Sequence, residues 1–268
     1  MRYGGAMADA KMITLPETAL LTLWNRANEA RRPGGIIDDP MAIQLLDSID
    51  HDFSKFILSG RQDIAQRALA FDAPARRYLS DHPEAVVVAL GEGLQTSFWR
   101  LDAAGVGHQF RWLTVDLPPI IELRERLLPA SPRIAASAQS VLDFSWMDQV
   151  DAGGGVFITA EGLLPYLQPD EALGVIRECA RRFPGGRMIF DLPSRFQACL
   201  ARHRIWTALR GGWPRTPFSL SAREIDDLPT TVPGVQSVRR LAPPRGGPAL
   251  DQLLWPTVAA LPLLEFGA

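Results

Sequence analysis

Gly91 and Gly93 close a short apolar run, and Asp116 closes the next one, 25 positions after Gly91. Two glycines in three positions let a backbone turn sharply and approach a ligand, because no Cβ intervenes. An aspartate at the end of the following strand is placed to accept hydrogen bonds from both hydroxyls of a ribose. Each feature also has a plainer explanation. The glycines fit a tight strand–helix turn, and Asp116 fits a helix N-cap ahead of Pro118. Taken together they point to a ligand that contains a nucleoside. A third residue, Glu161, ends another apolar run, where it serves either a ligand or a neighbouring arginine.

Phosphate separates the candidate nucleosides. A dinucleotide fingerprint carries a third glycine three residues after the second, where this chain has Thr96. Three helical stretches also precede the turn, whereas a dinucleotide turn usually opens its domain. S-adenosylmethionine has a ribose and no phosphate, so it suits this turn better.

The elements that must position these residues are legible in the hydrophobic pattern. Ala85 to Leu90 is an unbroken apolar run rich in β-branched residues, as expected of a strand buried on both faces of a parallel sheet. Similar runs occur at Trp112–Val115, Val156–Ala160 and Met188–Phe190, with helical stretches at Leu94–Ala104, Pro118–Leu128 and Pro169–Phe183 between them. Such alternation predicts βαβ units in an open, doubly wound, mostly parallel sheet. Upstream, Glu17–Arg32 has apolar residues at helical spacing and ends at Pro33-Gly34-Gly35. A second helix is expected after Asp39-Pro40, and a third over Arg61–Ser80 with a bend near Pro74. After Asp191 we expect a helix over Arg195–Leu209, a short helix over Ser221–Leu228, and strands over Val235–Leu241 and from Leu253 onward.

Composition narrows the function classes. Of the 268 residues, 47% are hydrophobic and 22% charged, which suits a globular chain with a full core. A net charge of −2 and a pI near 6.1 provide no basic footprint for nucleic acid. Cys179 and Cys199 match neither a zinc nor a redox spacing. No ligand spacing suggests a metal, which disfavours a metal-dependent catechol methyltransferase. Residues 1–11 lack the basic start and apolar run of a signal peptide, and no apolar run approaches the ~20 residues of a membrane span. The expected setting is the cytoplasm, without a membrane or nucleic-acid partner. General prevalence leaves a homodimer open.

Three motifs carry a family resemblance. Val88-Ala89-Leu90-Gly91-Glu92-Gly93-Leu94-Gln95-Thr96-Ser97-Phe98-Trp99-Arg100 is similar to a pattern of the form LGAGLDT-x-x-x-R. Val115-Asp116-Leu117-Pro118 resembles VDLP or VDFP, and Ala160-Glu161-Gly162-Leu163-Leu164-Pro165-Tyr166-Leu167 resembles EG-x-x-x-YL. In this order the chain resembles the leucine carboxyl methyltransferase family, in its bacterial branch of polyketide-type O-methyltransferases, from about Glu17 to Asp191. The resemblance implies a Rossmann-like single domain over 1–268. N-terminal helices would occupy 16–80, the cofactor-binding core 85–192, a helical lid after the fifth strand 193–232, and C-terminal strands 233–268.

The resemblance also implies roles. Arg67 would bind the methionine carboxylate of S-adenosylmethionine, and Gly91 and Gly93 would line its methionine and ribose portions. Asp116 would hold the ribose hydroxyls, Ser140 and Val141 would contact adenine, and Glu161 would face the amino group or a neighbouring main-chain group. Trp24, Arg195, Trp206, Trp213 and Phe218, with Tyr166 at the edge, would form the substrate cover. Aromatic residues there favour an apolar or aromatic small-molecule methyl acceptor, although the tryptophans also fit a small packed lid core. Two departures stand out: Glu92 and Gln95 replace the pattern's alanine and aspartate. Glu92 would place a negative charge near the cofactor's cationic groups or cap the helix. No catalytic base is assigned among His51, His82, His108 and His203. O-methylation of a small molecule, methylation of a protein C-terminal carboxylate, and cofactor binding without transfer are all compatible with these motifs.

Overall fold

The computed structural model describes residues 17–54, 56, 62–106, 109–193, 216–242 and 258–267. Three helices come first: α1 (Glu17–Arg31), α2 (Pro40–Asp47) and α3 (Gln62–Asp81). Asp39 caps α2 by accepting from the Ala42 backbone N–H at 3.0 Å, and α3 continues through Pro74. The core then alternates β1 (Val86–Leu90), α4 (Ser97–Ala103), β2 (Arg111–Asp116), α5 (Pro118–Leu127) and β3 (Ile134–Ala138). It continues with β4 (Val156–Ala160), α6 (Pro169–Arg182) and β5 (Arg187–Phe190). Two short helices, α7 (Ala222–Asp226) and α8 (Leu228–Thr231), lead into β6 (Val235–Leu241) and β7 (Leu261–Phe266).

The seven strands lie in the order β3-β2-β1-β4-β5-β7-β6. Strands β1 to β5 pair in parallel, and β7 joins antiparallel to both β5 and β6. This is the expected doubly wound sheet. Strand order reverses between β1 and β4, and a crevice opens beyond the carboxyl ends of strands at such a point.

Alternate residues of β1 enter different cores. Val86, Val88 and Leu90 pack with α6, α7 and α8, while Val87 and Ala89 pack with α3 and α4. That two-sided burial explains the unbroken apolar run. The sequence reading missed β3. Its Ile134-Ala135-Ala136-Ser137-Ala138 lies at the sheet edge with mixed exposure, so no continuous apolar signal marks it. Helix α4 starts three residues later than expected, because Gly93–Gln95 are spent on the turn and Thr96 occupies the N-cap position. The expected helix over Arg195–Leu209 lies outside the described residues. Among the described residues no helix is long and apolar enough to cross a membrane.

Candidate cofactor site

The turn after β1 is held from beneath and from the side. Gly91 and Gly93 take φ of +58° and +57°, the left-handed region that favours glycine. A Cβ on Gly91 would stand 2.8 Å from the end of the Leu163 side chain, which would have to move aside to admit it. The Gly93 N–H donates to Asp116 Oδ2 at 2.7 Å, and the Leu117 N–H donates to Oδ1 at 2.7 Å. Asp116 therefore ties the end of β2 to the glycine turn and still keeps one lone pair on each oxygen. Burial pushes its carboxyl above the usual range, and these two N–H groups and Arg124 oppose the rise.

Glu92 is held by internal partners. Its side chain points beneath the turn, where Thr114 Oγ1 donates a short hydrogen bond and Trp112 Nε1 donates at 3.2 Å. Arg124 lies 2.9 Å from Glu92 and also donates to the backbone carbonyls of Gly93 and Gln95 at 2.8 Å. Beside the two roles expected of it, a charge near the cofactor or a helix cap, Glu92 thus acts as an internal brace that fastens the turn to β2 and α5. Burial raises this carboxyl, and Arg124 draws it back down.

Arg67, on α3, meets two acids from two strand ends. Its Nε donates to Glu161 Oε1 at 2.9 Å and its Nη1 to Asp191 Oδ2 at 3.4 Å. The nearby carboxylates hold this guanidinium above its ordinary pKa, against the effect of burial. Asp191 Oδ1 in turn accepts from the Gly162 N–H at 2.6 Å. Gln95 bridges the two halves of the site: its Nε2 donates to Glu161 Oε1 at 2.7 Å. Tyr166, 37% exposed, sits near enough to feel both Arg67 and Asp191, and burial of its hydroxyl end raises its pKa.

A second buried network fastens the N-terminal helices to this floor. Arg100 donates to Asp39 at 2.6 Å and to Asp72 at 2.7 Å, and Thr96 Oγ1 donates to Asp39 at 2.7 Å. Arg26, fully buried in α1, donates to the Leu94 carbonyl at 2.6 Å and lies 3.6 Å from Asp39. Burial drops its pKa to about 10 despite that aspartate.

The structure thus joins Gly91, Gly93 and Asp116 in one cluster and Arg67 and Glu161 in another, with Gln95 between them. Ser140 and Val141 follow β3, whose Ala138 is in register with Asp116, so they leave the sheet at the same end. Val141, however, puts its side chain into the core, leaving its backbone to face a ligand. Trp24 is half-buried and packs edge-on to Phe56 at 6.4 Å. Phe218 is a correction. It is 2% exposed in the core cluster with Leu164, Ile225 and Leu228, so it packs its segment onto the sheet rather than lining an opening. Arg195, Trp206 and Trp213 lie outside the described residues. Asp191, Asp72, Arg26 and Arg100 were given no site role from sequence, Asp39 was read only as a helix start, and Gln95 only as a departure from the family pattern. The strand-end rule that selects Asp116 and Glu161 applies equally to Asp191.

This chemistry suits an aminoacyl nucleoside. An acid with spare lone pairs lies beside an open backbone turn, and a neighbouring carboxylate oxygen, Glu161 Oε2, accepts no hydrogen bond among the described residues. The model of the family described as leucine carboxyl methyltransferase matches residues 19–180. The chain belongs to that family. Its class is that of the S-adenosylmethionine-dependent methyltransferases. The tetracenomycin polyketide synthesis O-methyltransferase TcmP of Streptomyces glaucescens is 37% identical over 178 residues, 65% of this chain and 64% of TcmP. The match therefore spans less than two thirds of that relative. The S-adenosyl-L-methionine-dependent methyltransferase dpfgK of Gibberella zeae is 27% identical over 261 residues, 88% of this chain and 86% of dpfgK. Among solved structures, a candidate methyltransferase from Thermobifida fusca has a TM-score of 0.57 at 21% identity, covering 98% of this chain and 100% of its own. A DUF574 family protein from Streptomyces avermitilis has a TM-score of 0.55 at 16% identity, covering 94% and 97%. Both share the fold of this family member.

Proposed function

We propose that this chain transfers a methyl group from S-adenosylmethionine to an oxygen of a small-molecule acceptor of polyketide type, in the cytoplasm. The observation that carries the reading is the glycine turn tied to Asp116 by the Gly93 N–H, at the point where strand order reverses. Asp116 would hold the ribose hydroxyls with the lone pairs that Gly93 and Leu117 leave free. Gly91 and Gly93 would let the backbone come close to the methionine and ribose portions. Glu161 would take the amino group on Oε2. Arg67 would take one carboxylate oxygen on Nη2, since Nε and Nη1 already serve Glu161 and Asp191. Ser140 and the Val141 backbone would flank adenine.

Bound there, the cofactor supplies an electrophilic methyl group on a sulfonium. The protein's own contribution is then alignment and exclusion of water, which can supply much of the rate enhancement. Trp24 and Tyr166, with Arg195, Trp206 and Trp213, would cover the acceptor. An acceptor oxygen that is already ionised needs no base. Of the described histidines, His82 stacks on Tyr78 near Gly155, ahead of β4 and at the opposite end of the sheet. His51 packs among Phe53 and Phe56. His51 reaches Trp24 through Phe56, and His108 and His203 lie outside the described residues, so carboxylic acids, phenols and alcohols all belong among the acceptors to be tested. The TcmP relative supports the polyketide class.

Calorimetric binding of S-adenosylmethionine tests the cofactor site. The wild type should bind, and Asp116→Ala should weaken binding by ~1–3 kcal/mol. A panel of phenols, alcohols and carboxylic acids then tests transfer. Cofactor binding with no methylated product from any of them, or with product only from a protein C-terminus, would overturn the small-molecule reading.

A further inference from the structure

Two buried charge networks meet at a neutral side chain. In one, Arg100 holds Asp39 and Asp72. In the other, Arg67 holds Glu161 and Asp191. Gln95, from the glycine turn, stands between them and is buried. Its backbone is fixed on both sides: the carbonyl accepts from Arg124 Nη1 at 2.8 Å, and the N–H donates to the Glu92 carbonyl at 3.1 Å. Its amide can face only one way. The Thr96 N–H at 3.3 Å and Arg100 Nη1 at 3.4 Å are donors and require Oε1. The Glu161 carboxylate is an acceptor and requires Nε2, which reaches Oε1 of Glu161 at 2.7 Å. An acid at position 95 could not make that last bond, and an apolar side chain could make neither.

The consequence falls on the Arg67–Glu161 pair. Glu161 Oε1 accepts from both Gln95 Nε2 and Arg67 Nε, the latter at 2.9 Å, while Oε2 accepts no hydrogen bond among the described residues. Arg67 Nη1 is turned to Asp191. A guanidinium and a carboxylate frequently close into two parallel N–H···O bonds. For this pair that closure would join Nε and Nη2 to the two oxygens of Glu161. It would consume the only two groups the pair has left for a ligand. We propose that Gln95 is a positioning residue that prevents this closure. By holding Glu161 Oε1 from the opposite side, it keeps the pair joined through one oxygen. Glu161 Oε2 then remains for the ammonium of the methionine moiety and Arg67 Nη2 for its carboxylate. The amino-acid end of the cofactor carries one charge of each sign, and so does the pair that receives it. This rests on the reading that the site binds S-adenosylmethionine.

The test is calorimetry with two ligands on wild type and Gln95→Met. S-adenosylhomocysteine keeps the amino-acid end and is chemically stable, whereas methylthioadenosine lacks that end. Methionine preserves the length and bulk of glutamine and removes both hydrogen bonds of its amide. Gln95→Met should bind S-adenosylhomocysteine about tenfold more weakly, the size of one lost charge-assisted hydrogen bond, and methylthioadenosine within about twofold of wild type. Gln95→Asn keeps an amide but is one methylene too short to span both partners. It should show the same selective loss and stands in if Gln95→Met does not fold. A merely structural role at the turn would weaken both ligands alike, and that outcome would overturn the proposal. So would S-adenosylhomocysteine affinity within about twofold of wild type, which leaves the cofactor reading intact. If the wild type binds neither compound, the cofactor reading itself fails, and this proposal falls with it.

Discussion

Replacing Arg100 by methionine should be among the costliest single changes in this chain, and the structure explains why. Its guanidinium donates to Asp72 through Nε at 2.7 Å and through Nη2 at 3.1 Å, and to Asp39 through Nη1 at 2.6 Å. Both acids are buried. Their situations differ once the arginine is gone. Asp39 still has the Thr96 hydroxyl, the Ala42 N–H and Arg26 within reach. Asp72 loses its only ion-pair partner among the described residues. Removing one member of a buried pair costs ~3–5 kcal/mol, because the remaining charge is left uncompensated. Burial already raises the Asp72 carboxyl, with Arg100 holding it down. In Arg100→Met that restraint is lost and the folded-state pKa climbs further above its unfolded value. The stability of the variant should therefore be retained at acid pH and fall as pH rises through that value, so its deficit is larger at neutral pH than near pH 4.

The assay is urea denaturation of wild type, Arg100→Met and the double variant Arg100→Met/Asp72→Leu. An apolar replacement of both partners is often close to neutral, so the double variant should recover at least half of the loss. The coupling between the two positions would then be favourable in the wild type. A loss below about 1 kcal/mol in the single variant would refute the reasoning, as would a double variant no more stable than the single one. Either result would mean that charge pairing is not what holds α3 against α4.

Gly91→Ala should lose about 1–2 kcal/mol from its left-handed backbone alone, with a further loss as the Leu163 side chain is displaced, read as a lower denaturation midpoint. Asp116→Ala should weaken cofactor binding far more than it weakens the fold, so calorimetry and denaturation of one sample separate the two effects. In the absence of cofactor, burial holds the carboxyls of Asp72, Glu92, Asp116 and Asp191 above their usual range. Their contribution to stability is complete below the unfolded pKa and is lost as pH rises, so the unfolding free energy should decline as pH rises from the ordinary carboxylate range toward neutrality. A rise over that interval, measured by denaturation at each pH, would contradict this assignment.

What was legible in the sequence was local. A strand buried on both faces writes its own signature, as β1 does with Val86 to Leu90, and an acid just past such a strand can be picked out by position alone, as Asp116 and Glu161 were. An edge strand such as β3 has one covered face and no such signature. The partners of the acids were not legible either, because ion pairs join residues far apart in the chain: Arg100 with Asp39 across 61 positions, Arg67 with Asp191 across 124. Side-chain direction was the other blind spot. Glu92 sits inside the glycine motif, so sequence offered its charge to the ligand or to a helix cap, yet the turn directs it to Thr114 and Arg124. Phe218 shows the same limit, since aromatic character is shared by cores and covers. Asp191 marks the boundary between these cases. It ends a strand as plainly as Glu161 does, but its meaning comes from sharing one guanidinium with Glu161. Only the packing of α3 against β4 and β5 creates that arrangement. The residue that a positional rule could have found therefore has a role that no positional rule could have assigned.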